Sequence, residues 1–284
     1  MKKRKYANIL LFILVAGCIM QAGVMTYSMT NDPPQPSQAA DTAPHPEQAE
    51  TAHIVVSQEI RELIQKADPQ QYERNITNYE TLLKTLEVQT AFQNEIERLL
   101  RAGHQLPDLL TAYTFLNNSF GQIGSLEQLS AQKKSGQSWE QIFRAYNTSH
   151  PAFVPRSFEP EYLEKLMQSA LVNTDDIMLA DRVSFVSGQN VKDMIMKRME
   201  GMSWKAINEE LGIVNSQSSI PRVQVTKEQI DQYTAAYGLT QQQVVEAFVM
   251  AQKLGENAED MIKKVKAGYN EEKIYAESYG KKYY

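Results

Sequence analysis

The residues of this chain with the clearest chemical potential are a carboxylate and a guanidinium that replace other residue types in similar segments. Asp181 occupies the position that Tyr113 and Phe248 hold in two similar segments, and Arg198 occupies a position held there by a lysine and a valine. An unpaired buried carboxylate is costly. We therefore predict that Asp181 and Arg198 face each other across a helix hairpin as a partly buried ion pair. A surface position and a functional site are the alternatives for Asp181.

Two loop arginines are candidate anion-binding residues. Arg156 follows Pro155 and Arg222 follows Pro221, at a spacing of 66 residues. A loop arginine commonly donates to nearby carbonyl groups or lies at the C-terminus of a helix, where the helix dipole favours a cation. The alternative is that these guanidinium groups bind an anion or a cell-wall ligand.

The two tryptophans are candidate ligand-binding residues. Trp139 and Trp204 each follow a glycine, one further residue and a serine. An exposed indole at this position could stack on a ligand. A buried one would anchor one helix hairpin on another, with its N–H bonded to a neighbour.

The rest of the chain offers little for catalysis. The four histidines lie in a proline-rich linker, at its end or in loops. We find no His or Cys spacing typical of a metal site and no glycine-rich phosphate loop. The acid pair Asp175-Asp176 fits a helix start, where the dipole favours negative charge. The sequence therefore predicts no metal, no cofactor and no assigned catalytic residue.

The charge distribution argues against a nucleic-acid partner. The formal net charge is −5, and the first 53 residues sum to zero, so the excess lies on residues 54–284. Nucleic-acid binding requires clustered positive charge. The segment from Ser203 to Ile213 resembles the opening helix of a helix-turn-helix, but Pro221 interrupts the stretch in which a recognition helix would have to form.

These residues must be positioned by helices, because from residue 54 onward almost every stretch has a helical apolar pattern. Residues 88–100 follow the i, i+3, i+4 spacing of a one-sided helix, and no convincing alternating strand occurs. The sequence predicts an all-α fold.

The helical body is also repetitive. Segments 134–142, 199–207 and 266–274 are similar, and their glycines Gly136, Gly201 and Gly268 lie 65 and 67 residues apart. We predict that each glycine ends a helix in a left-handed cap and that the next helix starts within a few residues. A unit of about 66 residues would then occur about three times and bury its apolar face against its neighbours. The predicted boundaries are N-terminal helices at 54–106 and units at 107–150, 151–213 and 214–284.

The first 29 residues predict a membrane anchor. Four basic residues at 2–5 precede a stretch without charge that runs to Asp32. Residues 6–29 as a helix would measure roughly 36 Å, against a hydrocarbon core of about 30 Å. With the basic cluster only on the N-terminal side, the N-terminus should stay cytoplasmic and the body should cross to the extracytoplasmic side of the cell membrane as a single-pass protein.

Two other interpretations of this leader stay open. Val15-Ala16-Gly17-Cys18 resembles a bacterial lipobox, in which Cys18 would carry a lipid, although the chain after Cys18 stays apolar. A cleaved secretory signal is the third possibility. Residues 30–53 contain five of the eleven prolines, which predicts a disordered linker that holds the body away from the bilayer.

The C-terminus carries a stripe of tyrosines. Tyr275, Tyr279 and Tyr283 are spaced to lie on one face of a helix, beside Lys281 and Lys282. This pattern is typical of a final helix that packs on the body. A tail facing the membrane or a partner is the alternative.

Taken together, the basic and apolar leader, the proline-rich linker and the Gly-x-Ser-Trp segments resemble exported, membrane-anchored helical-repeat proteins of Gram-positive bacteria whose activity is not characterised. The resemblance covers most of residues 88–280 and implies no activity. We predict a tethered interaction or scaffold protein of the cell envelope, with a protein or cell-wall polymer as partner. The alternatives are an envelope polymer hydrolase or lyase acting near Asp181, and an extracytoplasmic sensor of a regulatory complex.

Overall fold

The computed structural model describes residues 56–284, and in this range the regular structure is entirely helical. Fourteen α-helices and no strand are present there, apart from one isolated bridge between Gln122 and Ile213. The all-α prediction is thus confirmed for these residues. The helices are α1 (Gln58–Ala67), α2 (Tyr72–Thr85), α3 (Thr90–Arg101), α4 (Leu106–Ser119), α5 (Ser125–Lys134), α6 (Trp139–Ser149), α7 (Pro160–Met167), α8 (Thr174–Ser187), α9 (Val191–Met199), α10 (Trp204–Glu210), α11 (Lys227–Tyr237), α12 (Gln241–Leu254), α13 (Ala258–Lys266) and α14 (Glu271–Tyr283).

The predicted membrane helix at 6–29, the linker at 30–53 and Cys18 lie outside the described residues. Between residues 56 and 284, no helix combines the length and the apolar character needed to cross a bilayer.

Local capping explains where many of the helices begin. Ser138, Thr226 and Thr240 form capping boxes with the glutamine three residues later, as their sequences predict. In each box, the hydroxyl accepts a backbone N–H of the first turn while the glutamine side chain accepts the N–H of the cap residue. Two otherwise unsatisfied donors are therefore bonded at each of these helix starts.

The three predicted glycine caps are confirmed, and a fourth turn of the same kind precedes them. Gly136, Gly201 and Gly268 have φ of 95°, 92° and 82°, and Gly103 has φ of 82°. At Gly201, the glycine N–H donates to Arg198 O and the next N–H donates to the carbonyl five residues back. The same pair of bonds forms at the other three turns. A side chain would be strained at such a φ, which explains the glycine.

Three hydrophobic clusters make up the core. The first is built by α1–α6 together with α14, and the second by α8–α10 with partly buried residues of α7. The third is built by α11–α13 together with Ile274 of α14.

The last helix joins the third cluster to the first. α14 packs against α4 and α6 as well as α12. Its tyrosines are buried, and two of them bond to α4: Thr114 Oγ1 lies 2.7 Å from Tyr283 Oη, and Asn118 Nδ2 donates to Tyr279 Oη at 2.7 Å. The packing interpretation of the tyrosine stripe is therefore confirmed. The sequence does not predict which helices receive it.

Backbone contacts join the first cluster to the second. Ile123 N–H donates to Gly212 O and Val214 N–H donates to Gly121 O, both at 2.8 Å. Gly121 is required here because a β-carbon would lie 2.4 Å from a Leu116 methyl carbon. All three clusters thus meet near the end of α4.

Candidate functional site

Asp176 is the centre of a polar junction between α8, α9 and α10. Its side chain is 1% exposed, and Oδ1 accepts from Arg198 Nε and Trp204 Nε1, each at 2.8 Å. Oδ2 accepts the Asn173 N–H at 3.0 Å, which completes a capping box at the start of α8. Arg198 Nη1 also donates to Met202 O at 2.9 Å. This buried carboxylate thus has a cation and two further donors.

The predicted pairing of Asp181 with Arg198 is wrong. Arg198 bonds Asp176, whereas Asp181 bonds Arg156: the Arg156 N–H donates to Oδ2 at 2.9 Å and its guanidinium donates to Oδ1. Arg156 also reaches Ser184 Oγ at 3.0 Å. Asp181 has a partner, as its burial requires, but the partner comes from the loop before α7 and not from the facing helix.

Arg222 forms the corresponding contact in the next loop. Its Nη2 donates to Asp175 Oδ1 at 2.6 Å, and Asp175 Oδ2 also accepts the Ile220 N–H at 3.4 Å. The Arg222 side chain is 55% exposed. Both loop arginines therefore hold their loops to α8 through carboxylates, and not through the carbonyl groups that the sequence suggests.

Both tryptophans are buried, with 5% exposure for Trp139 and 1% for Trp204. Trp204 donates to Asp176 directly, whereas Trp139 Nε1 donates to Tyr284 Oη at 2.9 Å and this hydroxyl donates in turn to Asp108. With the ring packed and the N–H bonded, each indole anchors its helix hairpin. This geometry favours the packing interpretation over ligand stacking.

The residue with the most unusual environment is Arg182, which the sequence patterns above do not single out. It is 2% exposed and lies between the rings of Phe120 and Phe153, at 5.2 and 4.8 Å from their centroids. Nη2 donates to Ser119 O at 3.1 Å, but Nε and Nη1 have no hydrogen-bond partner. Burial lowers the Arg182 pKa to about 10. Within residues 56–284, no carboxylate forms an ion pair with it.

Arg182 lines a cleft where the three clusters meet. The cleft, including its open mouth, holds about 490 Å³. Asn118 and Phe120 come from the first side, Leu179 and Arg182 from α8, the loop 215–221 from the second side and Lys253 from α12.

Lys253 brings a second cation to this cleft. Burial and the charge of Arg182 lower the Lys253 pKa to about 8, against the opposing effect of Glu271. Burial raises the Glu271 pKa to about 7. Lys253 Nζ lies 3.5 Å from Tyr275 Oη. The cleft therefore combines two cations, side-chain amides and apolar walls.

A closer comparison of the similar segments would have found two of these residues. Arg182 stands where the sister segments carry Thr114 and Val249, which is the same kind of departure that singled out its neighbour. Asp176 aligns with Asp108, and each precedes a tryptophan at a similar distance. Lys253 carries no such signal, because only the fold brings α12 beside α8.

No group of His, Cys, Asp and Glu side chains suited to a metal occurs between residues 56 and 284. Searches of protein-family models, curated proteins and solved structures find no match to this chain.

Proposed function

We propose that this protein is a membrane-tethered interaction protein of the cell envelope, whose helical body binds a protein partner on the extracytoplasmic side. The observation that carries the proposal is the position of the exposed apolar side chains. Among the described residues, six of the seven large hydrophobic side chains that are exposed lie between positions 154 and 199. They are Val154, Met167, Leu171, Phe185, Met196 and Met199.

Apolar surface of this kind is typical of a binding region. Each Å² left in water forgoes about 25 cal/mol of stabilisation, and concentrated exposed apolar surface commonly marks an interaction site. Helix α7, which lies in this segment, contains no buried residue. Methionine side chains adapt to different partner surfaces, which favours a protein over a polysaccharide as the partner.

The recurring helix ends support a repeated body. The same glycine turn precedes α4, α6, α10 and α14, and in each case the sixth residue after the glycine is fully buried. Those residues are Leu109, Ile142, Ile207 and Ile274. A common internal register is what units of about 66 residues would produce, and such units commonly serve as scaffolds.

The anchor rests on the leader. An uncharged stretch of sufficient length after four basic residues supports a single-pass anchor with a cytoplasmic N-terminus. The linker at 30–53 would then place the helical body beyond the bilayer surface.

The geometry does not favour a hydrolase or lyase acting at Asp181. Both of its carboxylate oxygens accept bonds from Arg156, and its side chain is 4% exposed. A general acid or base must reach the proton that it transfers, and this carboxylate is covered.

The cleft at Arg182 favours a second candidate, the sensor. A sensor requires a small-molecule site distinct from its partner-binding surface. The cleft lies at the junction of the three clusters, where an occupant would contact α4, α8 and α12 together. Binding there would change how the clusters pack, which an interaction protein without a ligand has no use for.

Site-specific photocrosslinking in intact cells tests the proposal. A photoreactive residue at Met196 of the full chain should give one discrete protein adduct. The same residue at Asp260, an exposed position on α13, is the matched control and should give none. Introducing charge with Met199→Glu should weaken the Met196 adduct. Equal adducts at both positions, or none at Met196, would contradict the proposed binding surface.

The anchor has its own test. External protease applied to intact spheroplasts should digest the helical body, and Cys18→Ser should leave membrane attachment and gel mobility unchanged. A changed mobility on substitution would instead support lipid attachment at Cys18. Protection from external protease would contradict the proposed orientation.

A further inference from the structure

Arg182 carries a charge that the chain itself does not balance. Moving an ion into a low-dielectric interior is expensive unless it is paired and hydrogen-bonded. Two of the three guanidinium nitrogens have no partner, and the contact with Ser119 O at the end of α4 supplies only the partial negative charge of a helix C-terminus. The two phenylalanine rings add cation–π attraction but accept no conventional hydrogen bond.

The contrast with the neighbouring side chain shows that a carboxylate was available nearby. Asp181 precedes Arg182 directly, yet it bonds Arg156. Asp176 on the same helix bonds Arg198. The donors of Arg182 are thus left unbonded while adjacent carboxylates are used elsewhere.

The second cation faces the same space. Lys253 lines the cleft together with Arg182, and it is close enough for the Arg182 charge to lower its pKa. Two like charges brought together without an anion repel each other. An anion between them would satisfy the free donors and reduce this repulsion.

The other walls limit what this anion can be. Phe120, Leu179, Ile220 and Pro221 give the cleft apolar sides, and Asn118 adds an amide whose N–H already donates to Tyr279. A planar guanidinium matches the geometry of a carboxylate, and apolar walls favour a ligand with a hydrocarbon part. The size of the cleft restricts the occupant to a small molecule.

We propose that the cleft bounded by Arg182 and Lys253 binds a small organic carboxylate, whose carboxylate group contacts the two cations and whose apolar part lies against Phe120, Leu179 and Ile220. The inference is independent of the protein partner proposed above, because the crosslinking surface does not include these residues.

Thermal unfolding of the full chain in detergent tests this site, with butyrate as the probe and butyramide as its uncharged counterpart at equal ionic strength. Butyrate should raise the unfolding temperature in a concentration-dependent manner and butyramide should not. Hydrogen bonds to a charged group contribute enough that Arg182→Met should weaken butyrate binding by at least about tenfold. Arg98→Met, which removes an exposed arginine, should leave binding unchanged.

Lys253 supplies a second, independent readout. Lys253→Met should also weaken butyrate binding, which keeps the test decisive if Arg182→Met folds poorly. In wild type, bound butyrate should raise the Lys253 pKa above its value of about 8, measured from the pH dependence of its side-chain carbon resonance. The proposal is overturned if butyramide acts as strongly as butyrate, if both variants retain binding, or if inorganic phosphate binds and butyrate does not.

Discussion

Helix α8 carries two polar regions that handle buried charge in opposite ways. At its N-terminal end, Asp176 bonds Arg198 and Trp204, so the cation and the carboxylate satisfy each other inside the protein. Toward its C-terminal end, Arg182 is buried to the same extent but keeps two nitrogens without partners. The first region is closed and complete, whereas the second opens onto a cleft.

The difference separates a structural junction from a candidate binding site. A buried ion pair stabilises a fold chiefly because removal of one partner leaves the other uncompensated. A buried cation without a carboxylate offers the fold no such advantage. The chain therefore retains Arg182 at a cost, which is typical of a residue kept for binding.

The largest effect should follow from removing the carboxylate of the closed region. Asp176→Ala would leave Arg198 and Trp204 without their acceptor and break the capping box of α8, so we expect a loss of about 3–5 kcal/mol in the free energy of unfolding. Chemical denaturation measures it. Asp175→Ala is the matched control, because its partner Arg222 is exposed and such pairs contribute about 1 kcal/mol or less. Equal losses for both variants would contradict the central role of Asp176.

The open region should instead make stability depend on pH. The Glu271 pKa is about 7 in the folded protein, against an ordinary value of 4.5 for a glutamate carboxyl group. The folded state therefore binds the proton more tightly between these values, and the free energy of unfolding should fall as pH rises from about 4.5 to 7. The groups that act on Glu271 are Lys253, Tyr275, Glu272 and Glu246.

The difference between wild type and Glu271→Gln isolates this contribution, which should be on the order of 2 kcal/mol across that window. Denaturant titrations at several pH values measure it. Glu127→Gln, which changes an exposed carboxylate outside the cleft, should preserve the pH dependence. A slope unchanged in Glu271→Gln would show that this carboxyl group is ionised normally.

A smaller effect should come from the sister junction in the first cluster. There the carboxylate of Asp108 reaches Trp139 only through the hydroxyl of Tyr284, and burial raises the Asp108 pKa. Tyr284→Phe removes this bridge and should cost about 1 kcal/mol. Tyr269→Phe, outside this network, should cost less. No loss for Tyr284→Phe in thermal unfolding would show that the two tryptophan junctions are not comparable.

Local features of the fold were predictable from the sequence because they depend on neighbours in the chain. The capping boxes at Ser138, Thr226 and Thr240 and the left-handed turn at Gly201 follow from three or four adjacent residues. The apolar spacing was enough for the all-α class. Burial of the tryptophans and tyrosines also follows from their periodicity.

The site was less predictable because it depends on contacts between distant helices. Comparison of sister segments identified Asp181 as buried and paired, but several arginines could satisfy it, and the spacing of Arg198 suggested the wrong one. Nothing local places α14 on α4 and α6, or Lys253 near Arg182. These contacts arise from how three clusters meet, and hydrophobic periodicity does not specify that arrangement.

The most direct test of the contrast compares Arg198→Met with Arg182→Met in the full chain, without added ligand, by denaturant unfolding. Methionine preserves much of the apolar packing and removes the charge in both cases. We expect Arg198→Met to lose about 3 kcal/mol because Asp176 remains buried without its cation, and Arg182→Met to lose less than about 1 kcal/mol or to gain stability. Equal and large losses would show that Arg182 is a structural residue like Arg198, and would contradict its role as a cation held for a ligand.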